Sequence, residues 1–178
     1  MRGPFPAGHV ASFFSSETDR VQTVVDFIRD GIACGDTCLI VATPEHRDVI
    51  RTQLCQRSID VPALTARYQY IELDTRTLLS QFMNGSRCDR PRFHALLDTL
   101  MRQAASRGQP VRAHSETANV LIQDGLPDTA MELEELWNEF SREHRFTLLC
   151  GYSTAAIDTT RNPGRLTELI RALHSHEV

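Results

Sequence analysis

The segment VRAHSE carries an apolar run into Glu116. A carboxylate at the carboxyl end of an interior strand is where α/β folds place an acid that orients a polar ligand or bridges a metal. Helix capping is the alternative role, because residues 117–123 read as a short helix whose first turn tolerates negative charge. Seven histidines, His9, His46, His94, His114, His144, His174 and His176, supply further titratable groups. Their spacing holds no H-E-x-x-H, no Cys/His knuckle and no G-x-S-x-G, so a hydrolase or zinc centre has to be assembled from scattered residues. His174 and His176 are close in sequence, yet i and i+2 point to different faces of a helix unless the chain has already left it. In LEELWNEF, Glu134 and Asn138 share a face and either hydrogen-bond each other or meet a neighbouring element or ligand, whereas Trp137, in register with Leu133 and Phe140, reads as core.

All nineteen basic residues are Arg. Without a lysine there is no phosphate-reaching P-loop lysine, no Schiff base and no lysine general base. The polar turn SSETDR occupies a strand-to-helix position where phosphates bind in related folds, but it lacks glycine as well. A net charge of -4 and a pI near 6.0 argue against a nucleic-acid surface. Cys34, Cys38, Cys55, Cys88 and Cys150 form an odd set without C-x-x-C, which predicts reduced, mostly buried thiols rather than disulfides or a thiolate zinc site. No apolar run is long enough to span a bilayer and MRGPFPAGHV is no signal peptide, so the expected location is the cytoplasm, away from membranes.

The elements that position these residues follow from periodicity. HVASFF reads as a first strand, then a helix over 18–34, capped by Ser16 or Thr18, lays Val21, Val24, Val25, Ile28 and Ile32 on a sheet. Gly31 and Gly35 bracket its end, where a left-handed backbone is needed. TCLIVA is a second strand, and Thr43-Pro44 opens a helix over 44–56. A third strand is expected at 68–73, a short helix in TRTLLSQF, a loop at NGSRCDRP, a helix from Pro91 and a fourth strand at 111–115. A helix over 128–143, a last strand at 147–152, a polar linker STAAIDTTRNPG and a terminal helix bearing Leu166, Leu169, Ile170 and Leu173 complete the chain. Five strands joined by helical crossovers predict a three-layer α/β/α sandwich with a mainly parallel sheet. The loops following the strands gather on one rim, the default ligand site.

These segments together resemble a known family. His9 with Phe13-Phe14, FIRDGIACGDTCLIVATPEHRDVI, Asp74 with Phe82, Phe93, VRAHSE, LEELWNEF, LLCGY and His174-Ser175-His176 are similar to the MEDS domain, the methanogen/methylotroph sensory domain. The pattern departs at His114-Ser115, where the family has an aromatic followed by Gly. The resemblance implies a divergent RecA/KaiC-like fold without catalysis, used as a sensory input for small hydrocarbon derivatives such as methylated amines or halomethanes. It also implies a downstream partner: a histidine kinase, an anti-sigma protein or a transcription regulator.

The expectation is therefore a flexible tail over 1–8 and a single sensory domain over 9–178, catalytically inactive and needing no cofactor or metal. A small ligand is expected at the carboxyl rim, with candidate contacts His9, Glu17, His46, Glu116, Asn138, Tyr152 and His174. A homodimer is conceivable, and direct contact with nucleic acid is not expected. A degenerate RecA-like nucleotide binder using Arg20 or Arg47 in place of lysine, and a pure protein-interaction module, are the competing readings.

Overall fold

The computed structural model describes residues 8–178; residues 1–7, where most of the expected tail falls, lie outside the described residues. Capping residues set the first α/β unit. After β1 (His9–Phe14), Ser16 accepts the Asp19 N–H and starts α1 (Glu17–Cys34). Gly35, at φ +85°, ends it in the left-handed conformation and donates back to the Gly31 and Ile32 carbonyls. Gly31 was expected to share that role but stays helical. What it provides is space, because a β-carbon there would lie 2.6 Å from Arg112 Cδ.

The fully buried β2 (Thr37–Ala42) leads to α2 (Pro44–Gln56), capped by Thr43. A helix not foreseen from periodicity, α3 (Val61–Ala66), precedes β3 (Tyr70–Asp74). That strand begins two residues later than expected because Tyr68 is exposed and takes φ 56°. Asp74 caps α4 (Thr75–Phe82). The expected loop NGSRCDRP contains an antiparallel hairpin of β4 (Met83–Asn84) and β5 (Arg87–Cys88), turned at Gly85. Then come α5 (Arg90–Ala104), a 3₁₀ turn, β6 (Val111–Ser115), α6 (Thr117–Gln123), α7 (Pro127–Glu143) and β7 (Phe146–Ser153). The stretch expected as a polar linker starts with a helix, α8 (Thr154–Asp158), because Ser153 caps it and Ala156 and Ile157 find core to bury against. The chain closes with α9 (Pro163–Leu173) and β8 (His176–Glu177).

Among the described residues the main sheet has six strands, not five, in the order β3-β2-β6-β7-β1-β8, and every pairing in it is parallel. The extra strand is the chain end. Ser175 N–H donates to His9 O at 2.7 Å and Val178 N–H to Ala11 O at 2.9 Å, which fixes β8 against β1. Alternation along the strands sends Ala11, Leu39, Val41, Ala113, Leu148, Cys150 and Tyr152 under α4 to α9. Val10, Cys38, Ile40, Ala42 and Leu149 point to α1, α2 and α3 on the other face. The result is the three-layer α/β/α sandwich. Trp137 is core as expected, edge-on to Phe93 with ring centroids 5.3 Å apart.

All five cysteines are free, but they are not mostly buried: Cys38 and Cys150 are enclosed, Cys88 is half-buried, and Cys34 and Cys55 lie exposed on α1 and α2. Among the described residues no helix is long and apolar enough to cross a membrane.

Candidate functional site

The structure sorts the seven candidate residues into two clusters on opposite faces of the sheet. Glu17, His46 and Glu116 meet at the carboxyl rim. The rim position follows from topology: the chain leaves β2 into α2 on one face and leaves its neighbour β6 into α6 on the other. Such divergence opens a crevice between the two strand ends, the topological switch point where α/β folds bind ligands.

Glu116 fills the floor of that crevice and is 2% exposed. Its N–H donates to Val41 O at 3.0 Å, prolonging the β6 to β2 pairing by one residue. It sits at the N-cap position of α6, yet its carboxylate makes no capping bond there, so the capping role considered for it is not the one it plays. Instead Oε1 accepts Arg20 Nη1–H at 2.7 Å, Oε2 accepts Thr43 N–H at 3.2 Å, and His46 Nδ1 lies 2.7 and 2.8 Å from the two oxygens. A carboxylate only accepts, so His46 Nδ1 is the donor. Burial alone would raise this carboxyl; His114 and His46 beside it outweigh burial and hold it well below the usual carboxylate range.

Helix caps aim these side chains. Ser16 starts α1 so that Glu17 and Arg20, three apart, share a face, and Arg20 donates to Glu17 Oε2 through Nε at 3.0 Å and Nη2 at 2.7 Å. Thr43 starts α2 with Pro44 in its first turn, which leaves the Thr43 N–H free for Glu116 and swings His46 back over it. His46 Nε2 lies 3.4 Å from Glu17 Oε2, closing a ring of four residues whose outer member, the Glu17 side chain, is 72% exposed. Beneath the ring, His114 donates Nδ1–H to Leu149 O at 3.1 Å. Its Nε2, buried and without a hydrogen-bond partner, faces Glu116 Oε1 from 3.6 Å. Gly151 makes room for the neighbouring Phe14 ring: a β-carbon there would stand 2.7 Å from Phe14 Cε2, and in ordinary contact, 3.5 Å, with His114 Cε1.

His9, Asn138, Tyr152 and His174 are brought together elsewhere, between the sheet and α7 and α9. His9 begins β1, so it is not on the carboxyl rim where it was expected. Alternation along β1 and β7 points His9, Cys150 and Tyr152 at α7, where Glu134 has no exposed surface. His9 Nε2 lies 2.9 Å from Glu134 Oε2 and 3.3 Å from Cys150 Sγ, and Tyr152 donates its hydroxyl to Glu134 Oε1 at 2.5 Å. His174, where the chain leaves α9, places Nε2 3.6 Å from Glu134 Oε2, and its ring lies tilted against that of His9 with centroids 4.0 Å apart. Asn138 does not bond Glu134. Its Oδ1 accepts His9 Nδ1–H at 2.9 Å and its Nδ2–H donates to Leu173 O at 2.7 Å.

Electrostatics inside this second cluster follow from burial. Burial would raise the Glu134 carboxyl, but the His9 hydrogen bond and the neighbouring histidine charges hold it below its ordinary value. Burial would lower His9, and Glu134 more than offsets that, whereas His174 stays below its usual value because burial dominates. Burial and the Glu134 charge push Cys150 and Tyr152 well up.

Sequence reasoning missed His114 and Cys150, weighed Arg20 only as a substitute for lysine, and paired Glu134 with Asn138 without naming it among the ligand contacts. Glu134 left one readable trace: it lies three residues from both Met131 and Trp137, a carboxylate on the inward stripe of α7. A groove of about 830 Å³ at the amino ends of β1, β6 and β7, lined by residues including His9, Pro110, Asn138, His144, Phe146 and Ser175, opens onto this cluster.

The model of one protein family, described as MEDS, MEthanogen/methylotroph, DcmR Sensory domain, matches residues 8–177. No curated protein matches the chain.

Proposed function

This chain belongs to the MEDS family of sensory domains, and on that premise we propose that it is a non-catalytic cytoplasmic sensor that takes a small ligand in the β2/β6 crevice. The observation that carries the reading is the ring of Glu17, Arg20, His46 and Glu116 over the unpartnered His114 Nε2. With Nδ1 donating to Leu149 O, His114 leaves Nε2 facing the buried Glu116 carboxylate from 3.6 Å, without a hydrogen-bond partner of its own. An ionised carboxylate only accepts, so the crevice favours a ligand that brings a donor. Among the hydrocarbon derivatives suggested by the family, a methylated amine or a small alcohol supplies an N–H or O–H, and a halomethane does not.

Sensing requires only that the ligand bind one conformation better than another. Glu17 and His46 form the outer half of the ring and come from the first turns of α1 and α2, so a ligand that draws His46 away from Glu116 shifts how the two helices meet. The partner that reads this shift is a signalling protein: a histidine kinase, an anti-sigma factor or a transcription regulator. Five free cysteines are in keeping with a reducing compartment. Arg20 is already held by two carboxylates, which weighs against its serving as a phosphate-binding substitute for lysine.

The test is a thermal-shift screen of methylated amines, alcohols and halomethanes. The expected result is stabilisation by an amine or alcohol that is lost in Glu116→Gln and in His114→Leu and retained in His94→Ala. Stabilisation by ATP with magnesium that is lost in Glu116→Gln, with none by the small organics, would overturn the reading in favour of a degenerate nucleotide site.

A further inference from the structure

Between the sheet and α7 and α9, one donor atom from each of His9, Glu134, Cys150 and His174 lies within 4.8 Å of the other three. We propose that these four side chains bind one divalent metal ion of the zinc class, tying β1, α7, β7 and the end of α9 together. This goes beyond the crevice reading and does not depend on it, since the two clusters occupy opposite faces of the sheet.

Spacing is the first argument. Metal–ligand lengths of about 2.0–2.3 Å at the tetrahedral angle put neighbouring donor atoms roughly 3.3–3.6 Å apart. Four of the separations are 2.9 Å (His9 Nε2 to Glu134 Oε2), 3.3 Å (His9 Nε2 to Cys150 Sγ), 3.6 Å (His174 Nε2 to Glu134 Oε2) and 3.7 Å (Cys150 Sγ to Glu134 Oε2). Small movements of these side chains suffice to centre an ion.

Orientation is the second argument. Metal-binding histidines use their other ring nitrogen to donate to a fixed acceptor, which sets the tautomer and the aim of the ring. Both histidines here do so: His9 Nδ1 is held by Asn138 Oδ1 at 2.9 Å and His174 Nδ1 by Ile170 O at 2.6 Å. Asn138 is itself oriented by Leu173 O. The Tyr152 hydroxyl occupies Glu134 Oε1 and leaves Oε2 as the single inward carboxylate oxygen.

Charge is the third. A divalent ion with one thiolate, one carboxylate and two neutral imidazoles sums to zero, the condition under which a buried ionic group is tolerated. Binding breaks the Cys150 S–H bond and the His9 Nε2–H bond, and both protons leave to solvent. A mixed N, O and S set in tetrahedral geometry selects zinc over magnesium or calcium. The groove at the amino ends of the strands, which reaches His9 and Asn138, is the route by which the ion arrives.

The test is Co²⁺ titration of the full chain carrying Cys34→Ser and Cys55→Ser, so that the exposed thiols do not compete. The expected result is one ion per chain, a tetrahedral ligand-field spectrum and a thiolate-to-cobalt charge-transfer band, displaced by Zn²⁺. Cys150→Ser should abolish the band, and Asn138→Ala should weaken Zn²⁺ binding by about 10–100-fold. Absence of the band while Cys150 is present, or its survival in Cys150→Ser, overturns the proposal. It would leave His9 and Glu134 as an imidazolium–carboxylate pair. The first of these outcomes needs no substitution in the core, so the test stands even where Cys150→Ser fails to fold.

Discussion

Replacing Glu116 with Gln removes one charge from the crevice at almost constant shape. Each carboxylate oxygen now accepts from a donor, Arg20 and His46 on Oε1, Thr43 N–H and His46 on Oε2. Whichever position the amide nitrogen takes, it faces an N–H. Arg20, 5% exposed, is left with Glu17 as its counter-charge, and that side chain is largely in water. Breaking a buried pair from one side costs about 3–5 kcal/mol. Glu17 retains Nε and Nη2, so the lower end applies, about 3 kcal/mol, equivalent to a fall in Tm of about 6–12 °C for a chain of this size. The assay is urea and thermal unfolding followed by circular dichroism at pH 7. Because the folded-state value of Glu116 is depressed below its ordinary 4.5, its contribution is fully present above that pH and is lost as pH falls toward the folded value. The gap between wild type and variant should therefore narrow on acidification. A loss under about 1 kcal/mol, the range of exposed pairs, or a gap indifferent to acid, would refute the reasoning.

Other perturbations reach the remaining elements. Gly151→Ala puts a β-carbon 2.7 Å from the Phe14 ring, which must shift, and should cost about 1–3 kcal/mol in urea unfolding. Tyr152→Phe removes the hydroxyl that donates to the enclosed Glu134 carboxylate and should cost about 1.5–3 kcal/mol by the same measurement. In a thiol-reagent titration at pH 8, Cys34 and Cys55 should react rapidly in the folded protein, while Cys38, pushed up to about 12 by burial, and Cys150 should react only on unfolding.

The first α/β unit was legible because its punctuation is local: Ser16, Gly35 and Thr43-Pro44 do in three dimensions what their types announce. Elements without such signals were not. β8 is two residues long and exists only because the β1 edge accepts it, and α8 hides in a polar stretch whose Ala156 and Ile157 become apolar contacts only against the packed core. The split of the candidate residues was equally hidden. Glu116, His46 and Glu17 sit at strand and helix ends, positions that sequence order reveals. His9 and His174, at opposite ends of the chain, meet because β8 pairs with β1, and Cys150 joins them through strand alternation. Glu134 stood out beside Asn138 on α7, but its burial against His9, Cys150 and Tyr152 depends on strands far away in sequence. Long-range pairing placed these groups, and spacing does not encode it.

The central claim is that a small donor-bearing ligand occupies the crevice between β2 and β6. Its most direct test is two-dimensional NMR of the labelled chain titrated with methylated amines and small alcohols. Saturable shift changes centred on Arg20, Thr43, His46, His114 and Glu116 are predicted. Changes centred instead on the amino-end groove around Pro110 and His144, or none with any compound, would contradict it.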